Sequence, residues 1–440
     1  MITQQATVFN LMLGTPDGGD GEVESFDLAA GEPQDFEVSS DTVSLESMSI
    51  ESNLPTMVEE MGDLPSTSLS SSSDEPLAIS MGLTGRNGAM KDALLGAYGG
   101  NATTENAVDL GLQWLIRNQG RDGSWTLRGP YADGSTQANR LAATSMALIA
   151  FAGAGHTHRA GKYKEHVAKA LKELLKWQDN DGSFSPDGRV PDQHMAYSHA
   201  QATIALCELY GMSRDYDLKK AAQLAVNYAQ DWQDQEKGGW RYYPRTDSDL
   251  SVTGWYVMAL ISARMAGLST DEQVLKKANK FLDTVAGDNG SVYYYIDYAI
   301  PSNVESITVD LPMTAEGLLC RMYLGWTPSD PKVRRGANYL SQHPVSIDVS
   351  DRNYYYWYYA TQTMHHLGDP MWSNWNNIMR ETLPDLQVKT GKETGSWPPQ
   401  GDPHGSIGGR LYSTCLSIYC LEVYYRHLPL YNAKSHRTLN

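Results

Sequence analysis

Six times between about residue 102 and residue 430, an amphipathic stretch is followed by a turn and then by a run of small apolar residues ending near a glycine. The spacing is roughly 55 residues, and self-similarity at a fixed period defines an architecture more firmly than local propensity does. The apolar runs begin at Thr144, His199, Ser251, Met313, Tyr354 and Arg410, and their amphipathic partners run through 107–118, 166–177, 220–232, 274–285, 332–342 and 372–386. Helices apolar nearly all round belong inside, and amphipathic ones belong on a solvent-facing ring. The pattern therefore predicts an all-α (α/α)6 toroid, six hairpins forming a double ring of inner and outer helices. An open solenoid would need a polar-faced final repeat, yet RLYSTCLSIYCLEVYYR is among the most apolar stretches of the chain.

The turn between paired helices repeats as well. Trp114-Leu115 is followed by Gln119 and Asp122-Gly123-Ser124-Trp125, then come Gln178 with Asp181-Gly182-Ser183-Phe184, Gly238-Gly239-Trp240, and Gly395-Ser396-Trp397. Glycine permits the sharp turn while the aromatic ring covers the glutamine and the helix end, so this is a structural clasp.

Residues 1–76 read differently. They are acidic and serine-rich, a composition that buries too little apolar surface to offset ordering entropy, and the segment is expected to be disordered. The first 90 residues hold 16 Asp/Glu and one Lys/Arg, so they carry almost all of the net charge of −17. A nearly neutral body offers no basic face for phosphate, which argues against a nucleic-acid partner. The acidic tail suits solvation, or else tethering to a protein partner. Residues 77–101 are expected to be a linker or strap, 102–430 the toroid, and 431–440 a tail. The N-terminus has no signal-peptide pattern and no run is apolar enough to span a bilayer, so a cytoplasmic protein is expected, with peripheral membrane contact left open. Four cysteines without C-x-x-C spacing suggest neither a disulfide framework nor a zinc cage, and no cofactor is expected.

The run W-L-x-x-x-Q-x-x-x-G-S-W at Trp114–Trp125 resembles the QW motif of squalene–hopene and oxidosqualene cyclases, and related clasps occur in protein prenyltransferase β subunits. Other segments look like the "prenyltransferase and squalene oxidase repeat" proteins of planctomycete-type bacteria. The resemblance covers about residues 102–430 and implies a toroid whose central cavity holds an apolar or isoprenoid-type ligand. The cyclases' protonating D-x-D-D-T-A motif falls on Asp249-Leu250-Ser251-Val252-Thr253-Gly254, which keeps the first Asp and has Ser251 where the proton donor would stand. The prenyltransferases' Y-H-T-C stretch matches Tyr412-Ser413-Thr414-Cys415, so a zinc ligand is lost, and Val309-Asp310-Leu311-Pro312 lacks the D-x-C cysteine. No metal site is expected.

Polar groups on apolar inner helices are the remaining candidates for chemistry, because buried charge is costly unless paired or used. Glu316 is either an acid or base of raised pKa or the ion-pair partner of Arg264 or Arg321, and Glu208 poses the same choice. Asp249, with Asp247 beside it, either caps its helix or contributes to catalysis. His199, Trp255, Trp357, His365 and Tyr412 are candidate ligand-binding groups, each with a packing role as the alternative. Glu393, His404 and Arg410, with Asp402, lie in or beside the long Gly/Pro-rich loop 387–409 and are expected to meet Asp249 and Glu316 at one end of the toroid. Two further readings are a non-catalytic protein-binding scaffold and a carbohydrate-active α/α barrel, the latter because paired carboxylates and aromatic platforms on such barrels process sugars.

Overall fold

The computed structural model describes residues 82–186, 190–296, 307–428 and 430, all within the second of two compact units, Leu69–Asn440. The expected disorder of 1–76 and the tail 431–440 lie outside the described residues. After a short 3-10 turn at Thr84–Arg86, the helices are α1 (Gly88–Ala97), α2 (Ala102–Arg117), α3 (Arg140–Gly153), α4 (Lys164–Lys176), α5 (Asp192–Ser213), α6 (Tyr216–Asp231), α7 (Leu250–Met265) and α8 (Glu272–Thr284). They continue with α9 (Leu311–Tyr323), α10 (Pro331–Ser341), α11 (Tyr354–Leu367), α12 (Met371–Leu386), α13 (Gly405–Leu421) and α14 (Val423–Arg426). The even-numbered helices α2–α12 form the outer ring and the odd-numbered α3–α13 the inner one. Each inner helix packs on the next, α13 returns to α3, and α12 meets α2, so the (α/α)6 toroid is closed.

Burial follows the sequence pattern directly. In α4 the residues Val167, Ala170, Leu171 and Leu174 are buried while Lys164, Glu165, Lys169 and Lys172 are exposed, whereas every residue from Leu141 to Gly153 of α3 is buried. Helix starts are fixed by side chains: Asn101 and Thr104 form a reciprocal capping box on α2, and Asp249, Asp310 and Asn353 cap α7, α9 and α11.

The clasps hold neighbouring hairpins together. The indole N–H groups of Trp125, Trp240 and Trp397 donate to the carbonyls of Leu115, Ala229 and Leu383 near the ends of their own outer helices. Gln119 and Gln233 each donate to a carbonyl of their own turn and to one of the following outer helix, His166 or Val274. Gln387 makes the same pair of bonds to Gly395 and, across the seam, to Ala107 of α2, at 2.9 and 2.8 Å. Replacing Gln387 with leucine removes both buried hydrogen bonds at once, and a loss of about 2 kcal/mol in urea unfolding is expected. The exposed Gln342 serves as the control position.

Two hairpins depart from the repeat. Between α8 and α9 a small antiparallel sheet intervenes, β1 (Ala286–Gly287), β2 (Val292–Ile296) and β3 (Ile307–Val309) in that order, which helical periodicity did not foretell. It places Tyr293 where other units have the clasp tryptophan, its N–H on Thr314 Oγ1 just as Trp125, Trp240 and Trp397 use Thr144, Thr253 and Thr414. In the fifth hairpin Tyr356 of α11 donates to the Leu340 and His343 carbonyls. Among the described residues no helix is long and apolar enough to cross a membrane.

Candidate functional site

The N-terminal ends of α7, α9, α11 and α13 converge on one rim of the toroid. At the first turn of α7, Asp249 caps the helix and accepts from Ser251 Oγ at 2.5 Å. Tyr197 of α5 lies with its hydroxyl 2.7 Å from Ser251 Oγ. The one serine proton goes to the carboxylate, so Tyr197 donates to Ser251 and the three form a directed chain ending on Asp249. The Tyr242 ring stands 6.3 Å from that of Tyr197. Asp247 turns away to pair with Lys237 and Arg241.

Glu316, in α9, is fully buried and its Oε2 lies 2.9 Å from the Tyr355 hydroxyl at the start of α11. The same hydroxyl is 3.1 Å from the carbonyl oxygen of Ser251, which brings α7, α9 and α11 together at one phenol. Glu316 Oε1 has no hydrogen-bond partner and lies against Gly254 of α7, where a Cβ would come within 1.9 Å of it. Burial holds the Glu316 carboxyl well above the usual carboxylate range; the Tyr355 and Tyr359 hydroxyls oppose the rise, and the like charges of Asp249 and Asp310 add to it. The anticipated ion pair with Arg321 does not form. That guanidinium binds Asp283, the Asn279 carbonyl and Tyr293 instead, because it emerges near the far end of α9, on the side facing α8.

The loop before α13 completes the rim. Asp402 accepts from the N–H groups of Tyr354, at 2.7 Å, and His404, at 2.8 Å. The His404 ring lies 5.8 Å from that of Tyr355. Burial raises the carboxyls of Asp310 and Asp402, with the capping N–H groups and His404 opposing. The Tyr412 hydroxyl is buried without a partner, and Asp402 together with burial keeps its proton on.

Of the residues singled out from sequence, the rim gathers Asp249, Glu316, Asp402, His404 and Tyr412. The others lie elsewhere. His199 is stacked on Tyr256, with Phe184 edge-on and Trp232 tilted beside it, in the second clasp, where burial lowers its pKa to about 4. Trp357 packs edge-on against Tyr354. His365 is at the opposite end, bound to the His427 carbonyl at 2.7 Å. Glu393 accepts from Trp114 Nε1 and from the Ala132 N–H, and Arg410 binds Asp133, the Ala132 carbonyl and Ser396. These two groups anchor the long loop to the first hairpin, as does Gly409, whose φ of +67° lets the chain pass against Ser135. Tyr197, Tyr242 and Tyr355 carry no motif of their own.

Below the rim, rings from second-neighbour inner helices meet inside the toroid. Helices α7 and α11 are separated by α9 around the ring, yet Trp255 lies 5.8 and 6.0 Å from Tyr358 and Tyr359, and the Tyr358 hydroxyl is 3.9 Å from Met258 Sδ. At the far end, Glu208 of α5 pairs with Arg86 at 2.7 Å and Arg426 at 3.2 Å, so it takes the structural alternative. Among the described residues no cluster of His, Cys, Asp or Glu could hold a metal ion, and the four cysteines are free and buried. Ser413 donates to the Trp397 carbonyl.

Neither a family model nor a curated protein matches the chain. Solved structures with the same fold include cellobiose 2-epimerase from Spirochaeta thermophila, at 16% identity and TM-score 0.53 over 77% of this chain and 98% of that one. An alpha-1,6-mannanase from Salegentibacter is similar at 13% identity and TM-score 0.50, over 73% of this chain and 98% of its own. A type II terpene cyclase from Scytonema overlays at 11% identity and TM-score 0.49, over 74% and 98%. The likeness is one of fold, the (α/α)6 toroid of the epimerase and the mannanase.

Proposed function

We propose that the rim binds a saccharide-type, polyhydroxylated ligand and acts on it by proton transfer. The observation that carries this reading is the contrast between the axis and the rim. An isoprenoid chain needs a long apolar column, but side chains from α7 and α11 meet inside the ring, in front of α9, one turn below the rim and narrow it there. The rim itself carries the phenols of Tyr197, Tyr242, Tyr355 and Tyr412 among Asp249, Asp310, Asp402 and His404. Aromatic faces and carboxylates together suit the alternating C–H and O–H surfaces of a sugar ring. Asp249 has Ser251 and Tyr197 bonded to it in series, while Glu316 and Tyr355 form the acidic side.

The test is native mass spectrometry and thermal shift of the full chain against a panel of di- and trisaccharides, with isoprenoid extraction of the same preparation. Saccharide binding that weakens about tenfold in Asp249→Asn, the loss of one charged hydrogen bond, is expected. A co-purifying isoprenoid with no saccharide bound would overturn the reading, as would a protein partner captured with both small-molecule classes absent.

A further inference from the structure

We infer that Glu316 rests as a neutral carboxylic acid and is the reservoir of a proton relay that reaches the rim through Tyr355. The argument is one of hydrogen-bond counting. The Tyr355 hydroxyl has a single proton and two oxygens in hydrogen-bond geometry, the Ser251 carbonyl at 3.1 Å and Glu316 Oε2 at 2.9 Å. A carbonyl only accepts, so both contacts are hydrogen bonds at once when Tyr355 donates to Ser251 and Glu316 donates to Tyr355. The rest of the setting agrees. Glu316 Oε1 is buried with no hydrogen bond of its own, and burial outweighs the help that the nearby Tyr355 and Tyr359 hydroxyls would give an ionised carboxylate.

The titratable groups facing Glu316 are Asp249 ahead of α7, Asp310 and Cys320 at the start and on the body of α9, Tyr197 from α5, and Tyr355 and Tyr359 from α11. None of these is a cation. Arg321 is committed to Asp283, and Arg241 to Asp247.

The relay rests on the rim being the binding site; the resting protonation state does not. Tyr355 is 8% exposed and is the outlet, beside His404. When a ligand oxygen takes the place of the Ser251 carbonyl, the O–H bond of Tyr355 breaks and its proton passes to that oxygen. At the same moment the proton on Glu316 Oε2 passes to Tyr355 Oη. The net change is one proton moved from Glu316 to the ligand, with the phenol restored and Glu316 left as a carboxylate, and the reverse transfer resets the site. Tyr355 is the group that touches the ligand, and Glu316 acts through it.

Infrared spectroscopy of the ligand-free full chain at neutral pH tests the resting state without any substrate. The carbonyl stretch of a neutral carboxylic acid is expected in the wild type and is expected to vanish in the isosteric Glu316→Gln. Glu422, a second buried carboxyl that burial drives upward at the other end of the toroid, is assigned separately with Glu422→Gln. In Tyr355→Phe the Glu316 band should persist but move to higher frequency as its hydrogen bond is lost. A wild-type spectrum that Glu316→Gln leaves unchanged overturns the neutral acid, and a band that Tyr355→Phe does not shift overturns the relay. If both band changes occur while no saccharide binds, the proposed ligand class fails and the assignment of the proton stands.

Discussion

Replacing Arg86 with methionine is expected to cost the fold about 3–5 kcal/mol, because it strands a buried carboxylate. Arg86 is fully buried, although it comes from the segment ahead of the toroid. It bonds Glu208 at 2.7 Å and the Ala152 carbonyl at 3.3 Å, and its NH2 lies 3.5 Å from the Arg426 carbonyl. Without it, Glu208 keeps only Arg426, which also serves Glu422. The effect should be conditional on its partner: Arg86→Met in a Glu208→Gln background should cost less than in the wild type by 1 kcal/mol or more, the coupling expected of directly bonded groups. The pH dependence has a definite sign. Burial works to raise the Glu208 carboxyl, but Arg426 and Arg86 outweigh it and hold the group below its usual range in the fold. Its stabilisation is therefore present above the unfolded-state pKa and lost as pH falls through the depressed folded value. Arg86→Met should weaken that acid sensitivity while lowering stability at neutral pH. Urea unfolding at pH 7 and pH 4 measures both, and a single-variant loss under about 1 kcal/mol would show that the end of the toroid is sealed by apolar packing alone.

The architecture was legible because it is written six times. Each inner helix must be apolar all round and each outer one on a single face, so the period survives any one ambiguous residue. Clasps were legible for the same reason, except where Tyr293 arrives from a strand and where Tyr356 replaces the turn aromatic from the helix itself. Both substitutions keep the hydrogen bond and change the chain segment that supplies it, which no repeat template registers.

The site was legible only in part. Glu316 stood out as a lone acid on an apolar helix, but sequence offered Arg264 or Arg321 as its partner, since position along a helix does not tell which neighbour each face meets. Tyr355 was hidden in Tyr354–Tyr359, where an unbroken aromatic run erases periodicity. Three of those rings reach Ser251, Met258 or Trp255 inside the toroid, and only the ring geometry separates Tyr355 from its neighbours. Ser251 looked like a loss of function because serine cannot protonate an alkene. In the fold it is the junction between Asp249, Tyr197 and Tyr355.

Glu316→Gln should stabilise the protein at neutral pH and disable it in the same step. An acid whose folded pKa is raised binds its proton more tightly in the native state than in the unfolded chain. Wild-type stability therefore falls as pH rises from the unfolded pKa towards the folded one, by about 1.4 kcal/mol for each unit over which only the native state holds the proton. Glutamine has no proton to lose, so the difference between variant and wild type should be smallest in acid and should grow steadily in the variant's favour as pH rises. The amide also fits the space against Gly254 that the carboxyl occupies. Turnover of a saccharide bound at the rim should fall by roughly 100- to 10,000-fold, the range that one positioned proton donor supplies, with little change in ligand affinity. Tyr355→Phe should lose turnover to a similar degree but keep the wild-type slope of stability against pH, because its Glu316 remains neutral. A flat difference between Glu316→Gln and wild type across pH 4 to 8 would mean that Glu316 ionises normally inside the fold. The acid of the rim would then have to be sought at Asp310 or Asp402, whose carboxyls burial also raises.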